Sequence, residues 1–424
     1  MINRKRSDSM EQFVIDQIRE GLKYIPANLL KSCFVRKSSP ETRAMRERGF
    51  IRGVCHPTEN FSLLKDAAIE WIRIDINYPF DRDGNLSPYY LGFKDRCRQY
   101  AERGIKVMAV TPYPKDYIVN GVDVRTPDGE ERLREIARFL VKDLGDLVAG
   151  YQVTNEMGLP HFTLPLTMEE AVRFIAVQLE AMYPVKGDKL VGYNSGGPGA
   201  DLHPKLKDYY QYCDYVGVDI YLGCFDYAPG AMWMFDAIIR YLWALTKKPI
   251  LLQEFGYISG GAPKSKQEKI AILNRYGAKD ETDAKENIER FVANLPEHFR
   301  KHVEYVCGKD PSRYYNLLFR SDLTNHLYCE LPAITKIPGY DHTPEGQAKF
   351  YNDILQHLYD LPYVCGTIIY CWKDPDSCHV CGQKDCPTET RWGLVDASEQ
   401  PKPSFYAVRK IFGRIKWLER TERK

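Results

Sequence analysis

Eight short apolar runs, separated by longer stretches of helical periodicity, constrain this chain more than any other feature. They are IRGVC (51–55), WIRIDI (71–76), IKVMAV (105–110), LVAGYQV (147–153), KLVGYN (189–194), YVGVDIY (215–221), PILLQEF (249–255) and CGTIIYCW (365–372). Most are rich in Val, Ile and Leu without simple alternation, which is how strands buried on both faces read. Between several of them, at 131–144, 168–183 and 344–358, apolar residues recur at helical spacing. Strands alternating with helices make a parallel sheet, and eight strands is the number that closes a barrel. The predicted fold class is therefore α/β, a (β/α)8 or TIM barrel. The competing open doubly wound sheet wants a Gly-rich phosphate turn after an early strand, and the sequence has none.

The barrel is expected over 51–415, with an extension at 1–50 and a short tail at 416–424. In the extension Met10, Val14, Ile18 and Leu22 recur every four residues, with Ile15 beside them. That pattern predicts an amphipathic helix over about 9–23, packed on the bottom of the barrel or held for a partner. It is the candidate contact for an oligomer, whose state the sequence does not set. One gap breaks the rhythm: 257–343 lies between the seventh strand and its helix. A structureless loop of that length is implausible in a compact domain. Helices are expected at 265–276 and 283–303, then a loop rich in Tyr, Asn and His at 313–328, the whole forming a lid or subdomain over the active face. No repeat and no Pro- or Gly/Ser-rich linker marks a second domain.

Charge excludes some functions. Lys plus Arg number 59 against 57 Asp plus Glu, a net charge of +2, which argues against a partner made of nucleic acid or anionic membrane. No apolar stretch approaches the roughly 18 residues that span a bilayer. The start, MINRKRSDSMEQF, has positive charge but no apolar segment behind it, unlike a secretory signal. Of 12 Cys, several (Cys55, Cys365, Cys371) fall in apparent strands, where thiols act as small hydrophobes. The expected compartment is the cytoplasm.

In barrel enzymes the reacting groups sit where strands end. Those ends offer Arg73 and Asp75, then Thr111 to Tyr113, Thr154 to Glu156, Asn194, Asp219 to Tyr221, Gln253 to Gly256, and Tyr370 to Trp372. Glu156 and Glu254 thus face one barrel mouth from the fourth and seventh strands. Splitting a glycosidic bond needs a proton donor on the leaving oxygen and a carboxylate for the oxocarbenium-like centre. A metal-dependent hydrolase would want His-x-His after the first strand, and none of the 9 His is spaced that way.

VTNE (153–156) paired with LLQEFGY (251–257) resembles the clan A glycoside hydrolases, as does the tail GTIIYCW followed by RWGLVDASEQPKPSFYAVRK (391–410). The resemblance covers roughly 50–415 apart from the insertion. It implies a retaining hydrolase of (mostly β-) glycosides, with Glu156 as acid/base and Glu254 as nucleophile. It also implies that Asn155 binds the sugar 2-hydroxyl, Arg73 and Tyr221 hold Glu254, and Trp372 forms an apolar platform under the sugar. His56 and Asn194 join them as candidate substrate contacts. The stretch VTPYP (110–114) departs from the His-containing motif of several clan families. The expected partner is an oligosaccharide or small glycoside. The same carboxylates would serve a transglycosidase, and a barrel that binds sugar without turnover is the other alternative.

No cofactor is expected for such chemistry. A structural zinc is a separate candidate: Cys378, Cys381 and Cys386 have ligand spacing, with His379 adjacent and Cys371 or a distant residue as other possible fourth ligands.

Overall fold

The computed structural model describes residues 4–34, 38–321 and 323–422. Eight strands, β1 (Ile51–Cys55), β2 (Trp71–Asp75), β3 (Lys106–Val110), β4 (Gly150–Met157), β5 (Leu190–Gly196), β6 (Tyr215–Ile220), β7 (Ile250–Phe255) and β8 (Val364–Ile369), follow the eight apolar runs. They pair in parallel, each with the next, and β8 closes on β1. The sheet is a closed barrel, so the open alternative is excluded. Strand residues are buried nearly throughout, because side chains fill the inside and helices cover the outside. Helices such as Pro127–Leu144, Met168–Met182 and Pro344–Asp360 lay their apolar stripes on the sheet.

The N-terminal helix runs Arg4–Cys33, longer than 9–23, and lies on the barrel's flank against the helix Ala231–Thr246. Gln17 Nε2 donates to the Gly158 carbonyl, beyond the end of β4. Its buried positions include Gly21, Asn28 and Ser32, whereas Ile18 and Leu22 are 60% and 61% exposed. The expected packing under the barrel is thus corrected: Gly21, Asn28 and Ser32 face the protein, while Ile18 and Leu22 face out. The side chains of Met10 and Val14 lie outside the described residues. Beneath the barrel sits Pro40–Glu47 instead, where Arg46 donates to the carbonyls of Tyr359 and Val364. Nor is 416–422 a tail. It continues the helix Pro403–Glu422, and Glu419 accepts from Arg52 at 2.7 Å.

The insertion is helical, with its own apolar core built around Leu273, Phe291, Phe299, Val303 and Leu318. Lys266–Arg275 matches the first expected helix. The second is three pieces, Glu281–Glu286, Ile288–Ala293 and Glu297–Cys307. Pro296 stands at the last break, where it cannot continue a preceding helix but can begin the next. The expected loop at 313–328 is largely two short helices, Tyr314–Phe319 and Leu323–Tyr328. Among the described residues no helix is long and apolar enough to cross a membrane.

Candidate active site

β4 ends irregularly. Its register to β5 shifts between Val153 and Met157, and Thr154 and Glu156 have φ of 51° and 42°. Side chains of a regular strand alternate faces, so Asn155 and Glu156 would point apart. The bulge brings both to the mouth, at a backbone cost of about 1–3 kcal/mol for each left-handed residue. Hydrogen bonds hold the distorted segment. Thr111 Oγ1 accepts from the Thr154 amide, and Asn194 Oδ1 accepts from the Glu156 amide, both at 2.9 Å.

Arg73, reaching in from β2, organises the floor. Its guanidinium donates to Glu254 Oε1 at 2.6 Å, to Gln152 Oε1 at 2.6 Å, and to Asn155 Oδ1. Tyr221 Oη donates to the other Glu254 oxygen. Arg73 makes no ion pair with Asp75, its neighbour on β2. Asp75 is exposed and accepts from Tyr113 Oη at 3.2 Å. Asn155 Oδ1 also accepts from Gln152 at 3.0 Å and Asn194 at 3.1 Å. Three donors on one oxygen fix the amide, which leaves its N–H2 end for a ligand.

Glu156, Glu254 and Asp219 bring one carboxylate oxygen each to within 4.8 Å of one another. Burial, then the charge of Glu254, pushes the Glu156 carboxyl from 4.5 up to about 8. The same two influences, with Glu156 adding to them, hold Asp219 well above the usual carboxylate range. One guanidinium cannot neutralise three adjacent carboxylates, so their mutual repulsion favours the protonated forms of Glu156 and Asp219.

Asp219 is absent from the expected set although it ends β6. Its Oδ2 accepts from Asn194 at 2.6 Å, while its buried Oδ1 has no protein partner. A neutral carboxyl and an amide are close in shape and charge. Asp219→Asn should therefore cost less than roughly tenfold in kcat/KM, below the ~10²–10⁴ contributed by a proton-transfer group. A loss in that larger range would make Asp219 a reacting group.

Two expected contacts need correcting. Trp372 is fully buried behind the site, with Nε1 donating to Thr58 Oγ1 at 3.0 Å and its ring against Phe405. β8 ends at Ile369, and the partly exposed ring near the mouth is Tyr370, which meets His56, Tyr221 and Trp392 edge-on. Phe225, 47% exposed, adds a second ring against Tyr221 and Trp392. Asn194 is also fully buried. It spends its amide on Glu156, Asp219 and Asn155, so it positions them instead of meeting substrate. His56 stands exposed beside Tyr370.

Away from these carboxylates, His326, Cys378, Cys381 and Cys386 cluster in the core of the insertion. His379 is not among them. Its side chain is 72% exposed, with Nδ1 3.7 Å from Glu389. Cys371 is likewise elsewhere, its Sγ donating to the Lys373 carbonyl at 3.4 Å. His326 comes from the 257–343 insertion, too far along the chain for local spacing to disclose.

No protein-family model and no curated protein matches the sequence. Solved structures do match. The GH53 catalytic domain of Ignisphaera aggregans superposes with a TM-score of 0.54 at 16% identity, covering 85% of this chain and 96% of that one. A family 39 glycoside hydrolase from Bacteroides cellulosilyticus WH2 gives 0.52 at 15%, covering 87% and 64%. This is a fold that glycoside hydrolases use. A GH2 β-galacturonidase from Eisenbergiella tayi gives 0.48 at 15%, and this chain spans about half of its length (51%).

Proposed function

We propose that this chain is a retaining glycoside hydrolase of the clan A type. The observation that carries the reading is the close approach of Glu156 and Glu254, within 4.8 Å, at the C-terminal mouth of the barrel. Retaining enzymes hold their two carboxyls about 5–5.5 Å apart, and inverting enzymes about 6.5–9.5 Å apart to admit a water; one oxygen of each group coming within 4.8 Å of the other supports the shorter arrangement. Their unequal surroundings support distinct roles. Glu254 is ion-paired to Arg73, as an anionic nucleophile needs. Glu156, pushed up to about 8, keeps its proton at neutral pH, as an acid needs.

Glu254 attacks the anomeric carbon while Glu156 gives its proton to the leaving oxygen. Water then cleaves the glycosyl-enzyme, with Glu156 now taking the proton. Asn155 offers its N–H2 to the sugar 2-hydroxyl, and Tyr370 and Phe225 offer apolar surface to the ring. The insertion closes one end of the mouth. Tyr305 on Glu297–Cys307 reaches Lys115 beyond β3, at 3.4 Å, and the ring of His161 beyond β4. A strap from β7 to β3 and β4 favours small glycosides or chain ends over a polymer running through.

A panel of aryl glycosides tests this, with the first-formed anomer read by proton NMR. Retention supports the assignment; inversion, or no turnover of any glycoside, overturns it.

The pH profile is fixed in sign. The acid must carry its proton, so kcat/KM should fall as pH rises above about 8, the value for Glu156 in the free protein. A folded-state value above the ordinary 4.5 also means a proton is taken up on folding. The stability this group contributes is complete below about 4.5 and is lost as pH rises to about 8. Steady-state kinetics across this range check the first statement, and thermal unfolding checks the second.

A further inference from the structure

We propose that His326, Cys378, Cys381 and Cys386 bind one zinc ion that clamps the helical insertion to the loop following β8. The inference is independent of the hydrolase reading. The four ligand atoms lie within 4.8 Å of one another, and all four residues are buried. His326 Nδ1 is 3.3 Å from Cys378 Sγ and 3.6 Å from Cys386 Sγ. A tetrahedral ion with Zn–S of about 2.3 Å and Zn–N of about 2.0–2.1 Å sets a sulfur-to-nitrogen edge of roughly 3.6 Å. The two nitrogen-to-sulfur distances lie close to that edge.

The backbone around the first two cysteines is shaped for thiolates. The Cys381 amide points at Cys378 Sγ at 3.5 Å. Gly382, with φ of 72°, donates its amide to the Cys378 carbonyl at 2.8 Å, and the Cys378 amide returns to the Gln383 carbonyl at 2.9 Å. This tight turn after C-x2-C aims an N–H at sulfur, which stabilises the thiolate form that binds metal. A side chain at Gly382 would have to adopt the left-handed backbone conformation that glycine alone takes readily.

Three sulfurs and one imidazole select zinc among common divalent ions, and four protein ligands leave no open position. The role is therefore structural. His326 belongs to Leu323–Tyr328 of the insertion, whereas the three cysteines belong to the connection between β8 and Pro403–Glu422. Packed around them are Leu273, Phe291 and Phe299 of the insertion. The same connection carries Glu389, which accepts from Tyr370 Oη at 3.3 Å. The ion would thus join the lid to the loop that borders the mouth. Cys329 adjoins the cluster: its Sγ donates to the His326 carbonyl at 3.7 Å and its thiol also meets those of Cys381 and Cys386, which makes it the competing ligand to His326, whose Nδ1 faces Cys378 and Cys386.

The full chain, purified without chelator and assayed for metal by mass spectrometry, should hold about one zinc. Protein stripped of metal under reducing conditions should rebind one equivalent with sub-micromolar affinity. Its cobalt form should show the visible absorption of a tetrahedral thiolate site. Zinc should also shield three thiols from a thiol reagent, and they should react once it is removed. Cys381→Ser and His326→Ala should each weaken zinc binding at least tenfold, while Cys329→Ser leaves it unchanged. Stripped wild-type protein that fails to rebind zinc overturns the proposal, as do disulfides among these cysteines in the native protein. Both results come from the wild-type chain and do not depend on any variant folding. Unchanged affinity in His326→Ala with loss in Cys329→Ser overturns the ligand assignment.

Discussion

Glu254→Gln should lower kcat/KM by at least ~10³-fold, because the amide cannot form the glycosyl-enzyme bond. The substitution is nearly isosteric; Arg73 can still donate to the amide oxygen, and the Tyr221 hydroxyl can turn to accept from the amide N–H2, so the fold should survive it. Glu156→Gln should behave differently. With a poor leaving group the loss should reach the ~10²–10⁴ of a lost proton-transfer group. With an activated aryl leaving group, which departs without a proton, the first step should be nearly spared and KM should fall as the intermediate accumulates. Kinetics on matched activated and unactivated glycosides separate the two roles. If both variants lose the same factor on both substrates, the carboxylates do not divide the work as assigned.

The second large effect is expected at Arg73. It is 3% exposed and paired with a Glu254 that is nearly as buried. Removing one partner of a buried pair leaves a charge with neither water nor counter-ion, at a cost of about 3–5 kcal/mol. Arg73→Met should therefore lower stability by about that much in urea denaturation. The double variant with Glu254→Gln should regain about 1–3 kcal/mol of the loss through coupling between the two positions. Strict additivity would mean that the salt bridge does not hold the floor together. Activity should fall on the order of 10²-fold even where Arg73→Met is folded, since Glu254 would no longer be held at its place.

The strap formed by Glu297–Cys307 and the cluster around His326 belong to one body, with a core separate from the barrel's. Whatever holds that body against the loop after β8 also sets how far Tyr305 stands from Lys115 and His161. Under the proposed strap, access to the carboxylates depends on the integrity of the insertion, although the two sites share no residue.

Much of this was open to reading in the residues themselves. Eight apolar runs separated by helical periods dictate a parallel barrel, because only a sheet covered on both faces buries runs that lack alternation. Strand ends place Glu156, Glu254, Arg73 and Tyr221 at one mouth. Local pattern failed where a neighbour in space decides the outcome. Trp372 read as a platform, yet β8 stops three residues earlier and the indole turns into the core against Phe405. Ile18 and Leu22 read as a packing face, yet Gly21, Asn28 and Ser32 take that side, where small residues let two helices approach.

Asp219 shows the limit most clearly. An aspartate at a strand end carries no mark of its own, and only register beside Glu254 makes it the third carboxyl of a cluster. The fourth member of the cysteine cluster had no sequence signal either, because His326 and Cys378 meet only once the insertion folds back over β8. Periodicity and residue type, which act over a few neighbours, determined the barrel and the chemistry at its strand ends. Distance, burial and protonation depend on groups brought together from far along the chain, and those were decided by the tertiary structure alone.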